Sequence, residues 1–252
     1  MDPTPDLPPT WMVDTHNLPP GATRERQALD LLHQIFRQPS VFLADRLFTF
    51  GRNLTFLKDE PFLAAFHAAE PDRTERGLIW RKHVLCWAAR RALHLHGDFV
   101  EAACYKGFTA RVLCNVIDLA AHKKHFWLYD LFEAEPTITP RLEAHAGDLY
   151  ERVCARFAAD PVTVVRGRLP DSLDGNSPER ISLLHIDMNN VASEIGTLNA
   201  LYDRIVPGGS IILDDFGWVH NQAQTAAHQE FFAARGDVIL ELPTGQGMVI
   251  KH

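Results

Sequence analysis

The pattern of apolar and polar residues changes near residue 97. Before that point apolar residues recur at helical spacing over 24–38, 60–67 and 79–95, which predicts amphipathic helices. After it, short apolar segments alternate with helical ones, a pattern typical of an α/β domain whose parallel sheet is covered on both faces. We expect strands at 98–103, 125–130, 161–165, 181–187 and 209–214, with helices at 108–121, 141–158, 191–205 and 220–234.

The end of the chain predicts an exception to the parallel arrangement. Two further strands are expected at 237–242 and 247–251, and only a short connection separates them. A connection of that length joins antiparallel strands, because a parallel pair needs a long crossover. The expected fold class is therefore α/β, with a mostly parallel sheet and an antiparallel edge hairpin.

The same patterns divide the chain into three parts. Residues 1–22 are rich in proline, which predicts an extended or disordered arm. Residues 23–95 form a mainly helical cap, which we expect to act as a lid. Residues 96–252 form the α/β domain, where we expect the ligand site.

Composition limits the classes of partner. The net charge of −7 provides no basic surface for nucleic acid or for an anionic membrane. No apolar segment approaches the roughly 18 residues of a membrane helix, and the N-terminus lacks a signal pattern. The cysteines form no CxxC pair, so reduced thiols and a cytoplasmic location are expected. A small-molecule partner is favoured, and a homo-oligomer is left open.

The segment 97–110 is the first candidate site. A short strand ends in an acid, Glu101, and a loop of small and polar residues leads through Gly107 into a predicted helix. Free N–H groups at a helix start can meet a polar small molecule. The loop has one glycine and does not match the dinucleotide fingerprint. A cofactor loop and an ordinary crossover therefore remain equal alternatives.

Acids follow most of the predicted strands, at the edge where α/β sheets bind ligands. These strand-end residues are Glu101, Asp130, Gly167 with Arg168, Asp187, and Asp214 with Asp215. Asp130 follows the second strand, where an acid can hold a ribose diol, with a cap of the next segment as the alternative. Gly167 allows close approach of an adenine ring, although a plain loop would look the same.

Asp187, Asp214 and Asp215 form the sharpest cluster, because their strands are expected to be neighbours. Two full charges about 5 Å apart repel by roughly 3 kcal/mol at an effective dielectric of about 20, so the cluster needs a cation or a shared proton. Carboxylates select Mg²⁺ or another hard divalent cation. The alternative is one capping acid with two solvated neighbours. His220 is a candidate general base, and Asp215 is its rival.

Several motifs together resemble one family. They are Gly-Asp-Phe-Val-Glu at 97–101, Tyr-Lys-Gly at 105–107, Tyr-Asp-Leu-Phe-Glu at 129–133, Leu-His-Ile-Asp at 184–187, and Leu-Tyr-Asp-Arg-Ile-Val-Pro-Gly-Gly at 201–209 followed by Leu-Asp-Asp-Phe-Gly at 213–217. From about residue 79 onwards the chain is similar to the macrocin O-methyltransferase family of class I S-adenosylmethionine-dependent methyltransferases.

The resemblance implies a Rossmann-like, seven-stranded methyltransferase sheet whose antiparallel strand lies inside the edge. It also implies roles for individual residues in binding S-adenosylmethionine and Mg²⁺. By this resemblance, the methionine part of the cofactor is held by Glu101, Ala103, Tyr105, Lys106 and Gly107. Asp130 holds the ribose, Gly167, Arg168 and Leu169 hold the adenine, and Asp187 lies beside the cofactor. The metal ligands implied by the resemblance are Asp187, Asp214 and Asp215.

Two departures from the family pattern affect specificity. Met188, Asn189, Asn190 and Val191 follow Asp187, where the family usually has an acid or alanine and then Leu-Tyr. The segment 218–222 also differs from that of sugar-modifying members. Sugar specificity is therefore not inherited.

The function expected from the sequence is Mg²⁺-dependent O-methylation of a small-molecule hydroxyl on a natural product or a sugar-like acceptor. The alternatives are transfer to nitrogen, or transfer of another sulfonium group, on the same scaffold. A protein that binds the cofactor without catalysis is a further alternative.

Overall fold

The computed structural model describes residues 21, 23–35, 42–45, 47–49, 51–133 and 147–252. The predicted arm at 1–22 lies outside these residues except for Gly21. The chain divides into two compact units, Met1–His83 and Val84–His252. The sequence placed the boundary between cap and α/β domain at 95/96, whereas this division falls at His83, inside a helix.

The first unit contains helices and one small hairpin. Helix α1 (Thr23–Ile35) is followed by the antiparallel strands β1 (Phe42–Ala44) and β2 (Leu47–Thr49), then by α2 (Glu60–Ala68), α3 (Arg73–Gly77) and the start of α4 (Ile79–Ala92). Phe42, Phe56 and Trp80 pack edge-on and tilted, with ring centroids 5.0–6.2 Å apart. Buried aromatic rings of this kind supply much of the apolar contact of a small unit. The hairpin was not predicted.

The second unit is an α/β domain. Its strands are β3 (Asp98–Ala102), β4 (Phe126–Asp130), β5 (Val162–Arg166), β6 (Ile181–Ile186), β7 (Ile205–Leu213), β8 (Leu240–Glu241) and β9 (Gly247–Ile250), and its helices after α4 are α5 (Phe108–Val116), α6 (Leu149–Arg156), α7 (Val191–Leu201) and α8 (Gln222–Ala233). The predicted helix at 108–121 ends early, since the Asp118 side chain caps a turn by accepting the N–H of Ala121. Part of the segment predicted as a helix at 141–158 lies outside the described residues.

The sheet has seven strands in the order β5-β4-β3-β6-β7-β9-β8. Strand β9 runs antiparallel between β7 and β8, and the other pairings are parallel. Every residue of the central strand β6 is buried, as expected for a strand covered on both faces. The predicted fold class, with its antiparallel strand inside the edge, is confirmed. None of the helices in the described ranges has the length and apolar character needed to cross a membrane.

The loop between β3 and α5 depends on a close approach at Gly107. This residue has φ 68°, and a Cβ there would lie 2.6 Å from Cε2 of Phe157. Phe157 is 2% exposed, so its ring has little room to move. Gly107 therefore lets the start of α5 pack against the end of α6.

Gly107→Ala should destabilise the chain for two separable reasons. The left-handed backbone costs an alanine about 1–2 kcal/mol, and the overlap with Phe157 adds about 1–3 kcal/mol. Gly175→Ala is the matched control, because Gly175 has φ 72° with nothing within 4 Å of its Cβ position. Chemical denaturation of both variants measures the difference. Equal losses of stability would contradict the packing role of Gly107.

Candidate functional site

Strand register places five polar side chains on one face at the carboxyl edge of the sheet. Glu101 of β3 lies opposite His185 of β6, and His185 lies opposite Ile212 of β7. Side chains two residues apart on a strand share a face, so Asp187 follows His185 and Asp214 follows Ile212 on that face. Gln246 precedes Gly247, which pairs with Leu213, and so reaches the same position from β9.

These side chains form a continuous buried network, which we call the edge network: Glu101, His185, Asp214 and Gln246. Glu101 Oε1 lies 3.1 Å from His185 Nδ1, and His185 Nε2 lies 3.3 Å from Asp214 Oδ1. Gln246 Nε2 donates to the same Asp214 oxygen at 2.8 Å. All four residues are at most 3% exposed. The orientation of Asp214 is therefore set by two neighbours from different strands.

His185 is the cationic member of the network. Burial lowers its pKa, but the hydrogen bonds with Asp214 and Glu101 outweigh burial and raise the pKa to about 9. At neutral pH the imidazole then carries a proton on both nitrogens and donates to both carboxylates. From the sequence we expected that a cluster of acids at this edge needs a cation or a shared proton. The protonated His185 supplies part of this positive charge next to Asp214.

A possible metal-binding group lies beside this network. Within the described part of the chain, one side-chain atom each of His185, Asp187 and Asp214 lies within 4.8 Å of the others. Because the protonated imidazole has no free lone pair, the two carboxylates are the groups that could bind a cation. Asp215, predicted as a third ligand, is not in this group. The reason is its position: Asp214 directly follows β7 on the face of the network, whereas Asp215 is the next residue, half-buried in the following turn.

The predicted cofactor loop after β3 has a strained backbone held by hydrogen bonds. Ala103 and Tyr105 have φ 72° and 49°, a conformation that is uncommon for residues other than glycine. The N–H groups of Ala103 and Cys104 both donate to the carbonyl of Tyr129, at 2.8 and 3.0 Å. Lys106 lies in the same loop, with its ammonium 5.1 Å from the centre of the Tyr105 ring.

Asp130 fixes this loop against the end of β4. Its Oδ2 accepts the N–H of Tyr105 at 2.7 Å, and its Oδ1 accepts the N–H of Phe132 at 2.8 Å. The cap that the sequence allowed as an alternative is thus present. These two bonds orient the Asp130 carboxylate toward the backbone of the loop.

The glycine at position 167, in the segment after β5, is required by the packing of that segment. Gly167 has φ 148°, and a Cβ there would lie 2.9 Å from Cβ of Ser172. Leu169 is buried, whereas Arg168 is exposed. The need for glycine at 167 therefore follows from the loop itself, and the adenine contact of these residues stays a prediction.

The two candidate bases lie outside the metal-binding group. His220 is exposed in the short 3-10 turn Val219–Asn221. Asp215 lies in the turn just after β7, where its carbonyl accepts the N–H of Trp218 at 3.4 Å. Their roles as bases stay predictions.

Sequence reasoning missed two residues that orient the site. Gln246 bonds Asp214, and Glu194 of α7 accepts the N–H groups of Met188 and Asn189, directly after Asp187. The expected pairing of the last hairpin with the strand before Asp214 was a signal for Gln246. A glutamate in the first turns of a helix is usually exposed, so no comparable signal marked Glu194.

Comparison with known proteins adds a family match. The model of the family described as Macrocin-O-methyltransferase (TylF) matches residues 85–238. A curated protein of Streptomyces olivaceus, 8-demethyl-8-(2,3-dimethoxy-alpha-L-rhamnosyl)-tetracenomycin-C 4'-O-methyltransferase, is 29% identical over 140 residues, which cover 48% of this chain and 53% of that protein. The matched region therefore spans about half the length of that relative.

Solved structures share the fold. The O-methyltransferase NovP superposes with a TM-score of 0.57 at 20% identity, over 69% of this chain and 80% of its own. The calicheamicin methyltransferase CalS11 gives a TM-score of 0.57 at 11% identity, over 91% of this chain and 93% of its own. At such identities the likeness concerns the fold alone.

Asp130→Asn should loosen the loop after β3. Asparagine has one acceptor oxygen for two N–H donors, so one donor faces an NH₂ group, at a cost of about 1–3 kcal/mol. Amide hydrogen exchange at Tyr105 or Phe132 should become faster, and chemical denaturation should show the loss of stability. Asp174→Asn is the control, because Asp174 is exposed. Unchanged exchange at both amides would show that Asp130 does not hold the loop.

Proposed function

The chain belongs to the macrocin-O-methyltransferase family, and from this membership we propose that it transfers the methyl group of S-adenosylmethionine to a hydroxyl of a small molecule. The acceptor class we propose is a natural product or a sugar-like compound. One observation carries the proposal: acids at or just past the carboxyl ends of β3, β4, β6 and β7 lie at a single edge of the sheet.

The donors and acceptors at this edge fit S-adenosylmethionine. Glu101 keeps one buried carboxylate oxygen, Oε2, with no hydrogen-bond partner in the described structure. The ammonium of the methionine part is a donor of the matching kind. Asp130 accepts the N–H groups of Tyr105 and Phe132 at the same edge, and we assign the ribose hydroxyls to this carboxylate. The loop of 103–107 has no multi-glycine phosphate cradle, as suits a cofactor without phosphate.

We assign the other end of the edge network to a divalent cation such as Mg²⁺. Asp187 and Asp214 offer hard oxygen ligands close together, which this class of ion prefers. When bound, the ion would lower the pKa of an acceptor hydroxyl. In the protein, His185 and Gln246 hold the Asp214 carboxylate in place. Asp215 or His220 would accept the proton from the acceptor hydroxyl.

Transfer without a metal ion, to oxygen or to nitrogen, is the alternative. One observation favours it: the protonated His185 already lies between Glu101 and Asp214 and offsets part of the negative charge. In that reaction the carboxylates would orient the acceptor by accepting its hydrogen bonds.

Asp214→Ala tests the metal-dependent proposal. Without this ligand, turnover in Mg²⁺ should fall by on the order of 100-fold. Binding of S-adenosylmethionine, measured by calorimetry, should weaken far less than turnover, because Asp214 is linked to the cofactor side only through His185 and Glu101. Turnover is followed as release of S-adenosylhomocysteine with a panel of hydroxylated sugars and phenols. Asp203→Ala is the control, since Asp203 is exposed.

The same assay separates the alternatives. Turnover that survives EDTA would favour transfer without a metal ion. Binding of S-adenosylmethionine without release of S-adenosylhomocysteine from any acceptor would favour a binding protein. A chain that binds neither ligand would contradict every methyltransferase proposal.

A further inference from the structure

Glu194 is a fully buried carboxylate that bonds to the loop after Asp187 but lies outside the edge network. It lies in α7 and is 0% exposed. Its Oε1 accepts the N–H of Met188 at 3.2 Å, the N–H of Asn189 at 3.0 Å, and Nε2 of Gln224 at 3.0 Å. The side chain therefore reaches back from the helix to the loop that leaves β6.

Two residues of helix α8 pack against the Glu194 carboxylate. Gln224 and His228 both lie in α8 and are 5% and 0% exposed, and Oε2 of Glu194 lies 2.9 Å from Nε2 of His228. A buried carboxylate is very costly unless donors match it. Three groups donate to Oε1, namely Nε2 of Gln224 and the N–H groups of Met188 and Asn189, and they hold Glu194 in one orientation, whereas Oε2 and Nε2 of His228 make no hydrogen bond in the described structure.

The loop that Glu194 holds is the one that carries Asp187. Asn189 has φ 54°, a left-handed conformation that persists only where the surroundings enforce it. On the other side, the N–H of Asp187 donates to the carbonyl of Ala102 at 3.1 Å and continues the sheet. Asp187 is thus fixed by the sheet before it and by Glu194 after it.

We propose that Glu194 is a positioning residue for Asp187: by binding the N–H groups of Met188 and Asn189, it fixes the turn that keeps the Asp187 carboxylate beside Asp214. Gln224 serves this role by donating to the same oxygen. The inference rests on the proposed function, because it takes Asp187 and Asp214 to be the ligands of a divalent cation.

The test is Glu194→Met in the full chain, with Mn²⁺ as the probe. Methionine has a similar volume but no oxygen, so the N–H groups of Met188 and Asn189 lose their acceptor. Loss of a residue that orients a ligand typically weakens metal binding about 10- to 100-fold, and Mn²⁺ titration followed by electron paramagnetic resonance should show a loss in that range. Amide exchange at Met188 and Asn189 should become faster. The affinity for S-adenosylmethionine should stay close to that of the natural chain.

Two further variants make the result specific. Glu230→Met makes the same chemical change at an exposed position of α8 and should alter neither Mn²⁺ affinity nor amide exchange. If Glu194→Met does not fold, Gln224→Met removes one donor to the same oxygen at similar volume. It should speed amide exchange at Met188 and Asn189 and weaken Mn²⁺ binding by a smaller factor.

The outcomes separate this inference from the proposed function. A natural chain that binds Mn²⁺, with a Glu194→Met variant that binds it equally well, would overturn the inference alone. An equal loss of Mn²⁺ and S-adenosylmethionine affinity would also overturn it, because a residue that only supports the fold would weaken both. A natural chain that binds no Mn²⁺ would contradict the metal proposal, and the inference with it.

Discussion

The carboxyl edge of the sheet is governed by one constraint: buried carboxylates brought together by strand register must be matched by donors or by a cation. Two such charges about 5 Å apart repel by roughly 3 kcal/mol at an effective dielectric of about 20. The register of β3, β6 and β7 places Glu101 and Asp214 on either side of His185. The protonated imidazole, hydrogen-bonded to both, makes that arrangement tolerable. Gln246 adds a neutral donor from the antiparallel strand.

The same constraint explains the strained residues that surround the site. Ala103, Tyr105, Phe132 and Asn189 all have positive φ, and they follow three of the parallel strands. Each gives its N–H to a fixed acceptor: the carbonyl of Tyr129, the carboxylate of Asp130, or the carboxylate of Glu194. Strain of about 1–3 kcal/mol per residue persists only where such contacts over-determine the backbone. The buried acids therefore shape the loops as well as line the site.

The sequence predicted the features that depend on local pattern. The apolar segments and the lengths of the connections predict the strand positions and the antiparallel edge hairpin. They also predict the carboxyl edge of the sheet, where Glu101, Asp130, Asp187 and Asp214 lie. The position of Asp215 relative to Asp214 could not be predicted, because whether a residue just past a strand keeps the face of its neighbour depends on the turn that follows. The hairpin of β1 and β2 was missed because each strand has only three residues, too few for a periodic signal.

The partners of the acids were harder to predict because they depend on tertiary contact. Glu194 accepts donors from the loop before its own helix and from Gln224, thirty positions along the chain. His185 was visible only as a histidine near the cluster. Its charge depends on the balance between burial, which disfavours the cation, and two carboxylates, which favour it. That balance exists only after β3, β6 and β7 are aligned.

The edge network also links two parts of the site that would otherwise be separate. Glu101 belongs to the strand that leads into the loop of 103–107, whereas Asp214 follows β7 beside Asp187. His185 hydrogen-bonds to both, so a change in the orientation of either carboxylate alters the bond that the imidazole makes with the other. Because Glu101, His185 and Asp214 are all buried, water cannot replace a lost partner. Breaking one of the two hydrogen bonds therefore leaves a buried polar group unsatisfied and raises the free energy of the folded state. The two halves of the edge are thus held in one arrangement by a single histidine.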